Sequence, residues 1–137
     1  MVNVQSHNRF TVLLANEQEN WHQTVRGLLE PQGVQTISAH SGREALHLLE
    51  RQPVHVAVLD HQMPHLGGLQ VIKLMRELQK SPPAILLTSD LTSHLLREAL
   101  GMHVFSVLSK PVDPNVLLDA LARVLRRYYE SRWPNEH

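Results

Sequence analysis

The chain has 137 residues and no cysteine, and its 13 basic residues balance its 13 acidic ones. This length suits one domain with its own core, and the missing thiols exclude disulfides and thiolate metal sites. Zero net charge gives no long-range positive field, so we expect no direct nucleic acid binding and no attachment to a membrane surface. No apolar run approaches the roughly 20 residues of a membrane span, which predicts a soluble, cytoplasmic protein.

Apolar runs and helical periodicity alternate along the chain. Strands are predicted at 10–15, 34–39, 54–60, 84–88 and 104–108, and helices near 21–29, 45–49, 69–78, 91–100 and 114–128. The pairing of Ser41 with Glu44 predicts a capping box ahead of the second helix. Leu74 and Tyr128 are assigned to the apolar stripes of the third and last helices. This alternation predicts an α/β fold, a doubly wound five-stranded parallel sheet with helices on both faces.

Polar residues stand at the carboxyl ends of the predicted strands. Asn16 and Glu17 follow the first strand, and Asp60 ends the third. Thr88 ends the fourth strand, and Lys110 follows the fifth. Because parallel strands all point the same way, these residues should converge at one edge of the sheet. Carboxylates beside a hydroxyl and an ammonium suit a phosphoryl group held with a divalent metal ion.

In these features the chain resembles the receiver domain of two-component response regulators. The matching motifs are Ala15-Asn16-Glu17, Leu59-Asp60 with Met63-Pro64 and Gly68, Leu87-Thr88-Ser89, and Lys110-Pro111. The resemblance covers residues 10–129, with 1–9 as an N-terminal extension and 130–137 as a C-terminal tail or the start of a linker. It implies the flavodoxin-like strand order 2-1-3-4-5.

The resemblance also implies a function in signalling by phosphorelay. Asp60 would be the phosphoacceptor, taking the group from a sensor histidine kinase or a histidine phosphotransfer protein. Thr88 would bind the phosphoryl oxygen as the switch residue, and Lys110 would pair with the same group. The domain would be no enzyme beyond catalysing its own aspartyl phosphorylation and dephosphorylation. Its output would pass to an effector domain or a downstream protein, and a homodimer is compatible with the family.

The implied cofactor is Mg²⁺ or Mn²⁺, and here the sequence departs from the family. The ligands would be Glu17, Asp60 and the backbone carbonyl of Gln62, with Asn16 acting through water. Receivers usually carry two acidic residues after the first strand, so Asn16 should weaken metal binding. Val107 stands where the family usually has an aromatic switch residue. A valine has no ring to rotate inward, so coupling should run through Thr88 and the loop that follows it.

Two other function classes fit the same architecture. One is a phosphorylation-independent pseudo-receiver that acts as a protein-interaction module, which Asn16 and Val107 favour. The other is an enzyme or cofactor binder. An aspartate-nucleophile phosphatase would need a second aspartate where Gln62 stands. A flavin site would need a phosphate loop rich in Ser, Thr or Gly after the first strand, and residues 16–20 do not provide one.

Overall fold

The computed structural model describes residues 9–78, 81–131 and 133. The strands are β1 (Thr11–Ala15), β2 (Gln35–Ala39), β3 (Val56–Asp60), β4 (Ala84–Thr88) and β5 (Ser106–Ser109). The helices are α1 (Glu19–Leu29), α2 (Gly42–Arg51), α3 (Gly68–Met75), α4 (Ser93–Gly101) and α5 (Pro114–Tyr129), with a short 3₁₀ turn at Glu30–Gln32. All strands are parallel, in the order β2-β1-β3-β4-β5. The predicted fold class and strand order are confirmed.

The central strands are buried on both faces of the sheet. Every residue of β3 and β4 is buried, which explains their continuous apolar runs. Alternate side chains enter two separate cores, so that Leu13 and Leu59 pack with α2, α3 and α4. Val12 and Val58 pack on the other face with α1 and α5. The two cores fix the strand register, because a slip by one residue would exchange the faces of every side chain.

Short polar side chains begin three of the helices. The Ser41 hydroxyl accepts a hydrogen bond from the Glu44 backbone N–H at 3.1 Å. The Glu44 carboxylate returns to the backbone N–H of His40 at 2.8 Å, one residue earlier than in a standard capping box. Thr92 begins α4 and Asp113 begins α5 by similar side-chain caps. These caps fix the helix starts that lie next to the carboxyl edge of the sheet.

Two residues assigned to apolar stripes are exposed instead. Leu74 is 40% exposed, because two residues at 3.6 per turn place it about 200° around α3 from the buried Ile72. Tyr128 is 49% exposed near the end of α5, where the ring lies edge-on to Phe105. Periodicity therefore located both helices but overstated the width or length of their buried faces.

The described chain continues to pack after α5. Ser131 and Trp133 are buried, and the Trp133 indole donates a hydrogen bond to the Gln32 carbonyl at 3.1 Å. The rest of the predicted tail, like residues 1–8 of the predicted extension, lies outside the described residues. Within the described part of the chain, none of the helices has the length and apolar character needed to cross a membrane.

Candidate functional site

Buried polar groups gather at the carboxyl edge of the sheet. Asp60 is the last residue of β3, and Thr88 is the last residue of β4. Lys110 follows β5, where its backbone N–H donates to the Thr88 carbonyl at 2.8 Å. The sheet pairs β3 with β4 and β4 with β5. Residues separated by up to 50 positions in sequence are therefore held side by side.

Asp60 and Lys110 form a tight ion pair. The Lys110 ammonium donates to Asp60 Oδ1 at 2.5 Å, and the Asp60 carboxylate is almost wholly buried. The Gln62 backbone N–H lies 3.4 Å from the same Oδ1. Among the described residues, both hydrogen bonds to this carboxylate end on Oδ1. The neighbouring ammonium balances the charge of the carboxylate, while Oδ2 keeps its lone pairs for a reacting atom or a cation.

The Thr88 hydroxyl is held by a network that the sequence did not predict. Its Oγ1 accepts hydrogen bonds from the Gln62 side-chain amide and from the Asp90 backbone N–H, both at 3.0 Å. The Gln62 side-chain oxygen in turn accepts from the Ser89 backbone N–H at 3.2 Å. From the sequence, Gln62 has an expected role in the receiver site only through its carbonyl, although its long amide two residues after Asp60 is a usable signal.

Asn16 is buried and serves mainly to shape the loop after β1. Its side-chain oxygen accepts from the Gln18 backbone N–H at 2.8 Å, and its carbonyl accepts from His22 Nε2 at 2.8 Å. His22 is fully buried, and this burial lowers the pKa of its imidazole. Glu17 is exposed, and its carboxylate has no hydrogen bond or ion pair with the described residues. The loop thus offers the Glu17 carboxylate, which is unengaged as far as the described residues go.

The donor set at this edge fits a hard divalent cation. In the part of the chain that is described, no three His, Cys, Asp or Glu side chains come together as a metal cluster. Oxygen donors are nevertheless present, because Asp60 Oδ2 and the Glu17 carboxylate have no partner among the described residues. The Gln62 carbonyl likewise accepts no backbone hydrogen bond within the described ranges. A few oxygens completed by water are what Mg²⁺ or Mn²⁺ accepts.

The loop after Asp60 passes too close to the sheet for ordinary side chains. A Cβ built on Gly68 would lie 2.6 Å from the Asp60 carbonyl oxygen, and one on Gly67 would overlap the His61 carbonyl. Only glycine allows this approach. It lets α3 begin close against the backbone carbonyl of Asp60.

Val107 lies on β5 and is partly buried. It packs on the core face shared with α4, against the cluster that contains Leu86 and Ala99. Phe105, the aromatic residue just before the strand, packs instead on the opposite core and lies beside Tyr128. Within the described residues, β5 therefore presents no aromatic ring on the α4 side.

Comparison with known proteins finds similarity over most of the chain. A family model described as "Response regulator receiver domain" matches residues 12–122. The chain is 32% identical over 129 residues to the response regulator GtcR of Aneurinibacillus migulanus, covering 92% of this chain and 52% of that protein. It spans about half or less of the length of the first curated relatives it matches.

Solved structures agree over nearly their whole length. The receiver domain of the Francisella response regulator 1452 superposes with a TM-score of 0.81 at 27% identity, covering 87% of this chain and 98% of that one. The Vibrio cholerae chemotaxis protein CheY4 gives a TM-score of 0.78 at 28% identity, covering 85% of this chain and 99% of its own. The family match over residues 12–122 spans the strand ends that carry the site.

Proposed function

Because this chain belongs to the response regulator receiver family, we propose that Asp60 accepts a phosphoryl group from a phosphohistidine of a partner protein. The observation that carries this proposal is the geometry of the carboxylate. Asp60 is buried and paired through Oδ1 with Lys110, while Oδ2 has no partner among the described residues. One oxygen is thus held by a cation, and the other is available as a nucleophile.

The chemical step needs little from the protein beyond placement and charge. Asp60 Oδ2 attacks phosphorus, so that a new O–P bond forms as the P–N bond to the partner's imidazole breaks. The departing imidazole nitrogen keeps the electron pair and then takes up a proton. Lys110 remains beside the acyl phosphate and offsets part of its added negative charge.

A bound Mg²⁺ or Mn²⁺ would supply further charge neutralisation at the phosphoryl oxygens. Glu17, Asp60 and the Gln62 carbonyl are the residues proposed to hold it. Asn16 would contribute through water, since its side-chain oxygen already accepts from Gln18. The domain would catalyse only its own phosphorylation and dephosphorylation, with no released metabolite as product.

The partners follow from the same proposal. The donor would be a sensor histidine kinase or a histidine phosphotransfer protein in the cytoplasm. The output would pass to an effector domain or a downstream protein. The longer relatives support this, because the chain covers only 52% of GtcR and 30% of the transcriptional regulatory protein GlrR of Escherichia coli.

Intact mass after incubation with acetyl phosphate and Mg²⁺ tests the proposal. We expect a gain of one phosphoryl group in the wild type, none in Asp60→Asn, and loss of the gain when the cation is chelated. Asp119→Asn, which removes an exposed aspartate on α5, is the matched control and should be modified like the wild type. An unmodified wild type would contradict the proposal and leave the phosphorylation-independent interaction module as the alternative.

A further inference from the structure

Gln62 connects the two groups that must respond to one another in the switch. Its backbone N–H approaches Asp60 Oδ1 at 3.4 Å, and its side-chain amide donates to Thr88 Oγ1 at 3.0 Å. Its side-chain oxygen accepts from the Ser89 N–H at 3.2 Å. One residue therefore contacts the phosphoacceptor through its main chain and two consecutive residues at the end of β4 through its side chain.

These contacts restrict what the Thr88 hydroxyl can do. Both acceptor positions of Oγ1 are occupied, by Gln62 and by the Asp90 N–H. The Thr88 main chain is fixed as well, because its carbonyl accepts from the Lys110 N–H. A phosphoryl oxygen on Asp60 would accept the hydroxyl proton of Thr88. If Oγ1 turns towards that oxygen by rotation about χ1, it moves away from the Gln62 amide and the hydrogen bond from Gln62 breaks.

We propose that the Gln62 carboxamide is a latch that holds the Thr88 hydroxyl and the Ser89 N–H in the unmodified state and releases them when Asp60 is phosphorylated. The proposal rests on the proposed function of Asp60. Phosphorylation adds bulk and charge beside the oxygen that Gln62 N–H approaches, so it disturbs the latch at its main-chain end. Gln62 is a positioning residue, because it acts on the switch through Thr88.

The latch also gives the switch a route that does not need an aromatic ring. Val107 offers no ring to follow the hydroxyl, but release of Gln62 frees the first residues of the β4–α4 loop directly. Ser89 and Asp90 are exposed, so this loop can reorder without disturbing the core. The signal would leave the site through the loop between Thr88 and α4.

Gln62→Met tests the latch, since methionine keeps the length of the side chain and removes both polar groups. The primary readout is the χ1 rotamer of Thr88 in the unmodified protein, measured by NMR scalar couplings. The wild type should show one rotamer, and Gln62→Met should show averaging. The second readout is binding of beryllofluoride with Mg²⁺, which should tighten roughly five- to thirtyfold when two modest hydrogen bonds no longer oppose the bound state.

Two further variants make the outcome specific. Gln70→Met removes an exposed glutamine from α3 and should match the wild type in both readouts. Gln62→Ala should behave like Gln62→Met, because both lack the amide. A Thr88 rotamer that stays fixed in Gln62→Met would overturn the latch. This holds even if the rotamer averages in Gln62→Ala, because both variants lack the amide. Rotamer averaging in a protein that binds no beryllofluoride would support the hydrogen-bond restraint and overturn the proposed function of Asp60.

Discussion

The two edges of the sheet both hold polar side chains, but these side chains have different kinds of partners. At the amino edge, the Arg76 guanidinium donates to the backbone carbonyls of Pro82, Met102 and His103 and to the Ser81 hydroxyl. At the carboxyl edge, by contrast, Lys110 pairs with the Asp60 side chain. The first edge joins side chains mainly to backbone, whereas the second also joins side chains to one another, as in Asp60–Lys110 and Gln62–Thr88.

This difference suggests that the amino edge stabilises the fold and the carboxyl edge carries the reaction. A backbone carbonyl at a strand entry has one position, so a hydrogen bond to it can only be kept or lost. Tyr129 follows the same rule at the amino edge, where its hydroxyl donates to the His55 carbonyl at 2.7 Å. A side chain can change rotamer and partner, as the hydroxyl of Thr88 would do in the proposed switch. We expect variants at the carboxyl edge to change the reaction and variants at the amino edge to change stability.

Loss of Lys110 should give the largest effect. Lys110→Met removes the ammonium that offsets charge beside Asp60, and we expect phosphorylation by acetyl phosphate to slow roughly 10²- to 10³-fold. Time-resolved intact mass with Mg²⁺ measures the rate, and Lys73→Met, which removes an exposed lysine from α3, is the control. A rate equal to that of the wild type would mean that Lys110 does not act on the phosphoryl group.

The contribution of the Asp60–Lys110 pair to stability can be measured with a variant that leaves neither charge buried without its partner. The double variant Asp60→Asn/Lys110→Met removes both members of the ion pair. Replacing a buried pair by neutral groups is often neutral or stabilising, so we expect its free energy of unfolding to lie within about 1 kcal/mol of the wild type or above it. A loss of several kcal/mol would show that this edge also supports the fold.

Arg76→Met should give the opposite result at the amino edge. The variant removes hydrogen bonds to three carbonyls and one hydroxyl, and we expect the free energy of unfolding to fall by about 2–4 kcal/mol. Urea unfolding measures this loss, with Arg97→Met on the exposed face of α4 as the control. The phosphorylation rate of the folded variant should equal that of the wild type. A slowed reaction would break the division between the two edges.

Asn16→Asp should have a smaller effect, confined to the carboxyl edge. Aspartate can still accept from the Gln18 N–H, and it adds a negative charge near the proposed cation. We expect Mg²⁺ to bind about five- to thirtyfold more tightly, as measured by calorimetry. The control is Asn20→Asp, an exposed position in α1. Unchanged affinity would mean that the side chain at residue 16 does not act on the metal.

The fold class could be predicted from the sequence, because apolar runs indicate where the buried strands end. The run from Val56 to Leu59 must be buried, so Asp60 necessarily stands at the carboxyl edge of the sheet. The same logic placed Thr88 and Lys110 at that edge. The roles given to these residues, like the absent aromatic switch at Val107, stay predictions.

What the sequence could not give are contacts made by loop side chains. The reach of Gln62 to Thr88 depends on the path of the loop between Asp60 and α3, which periodicity does not describe. Burial of Trp133 was likewise not predictable, because a residue beyond the last helix carries no periodic signal. The hydrogen bonds of Arg76 join three separate segments, and that meeting requires the folded topology.

The smallest expected effect is the pH dependence that His55 adds at the amino edge. His55 Nδ1 accepts the Thr11 N–H at 3.0 Å, which requires the neutral ring. Burial lowers the pKa of His55 from its ordinary 6.5. Between the folded pKa and 6.5 the unfolded chain therefore binds more protons, so stability rises with pH in this window. The contribution of His55 is complete above pH 6.5 and is lost as the pH falls through the window.

His55→Phe should reveal this contribution in the slope of stability against pH. Phenylalanine keeps a ring to pack against Phe10 and Tyr129, but it cannot bind a proton. We expect the slope below neutral pH to decrease by at most about 1.4 kcal/mol per pH unit, the limit for one proton. Urea unfolding at a series of pH values measures it, with His47→Gln on the exposed face of α2 as the control. If the slope were unchanged in His55→Phe, the slope would belong to other groups such as His22. The Thr11–His55 contact would then not couple folding to protonation.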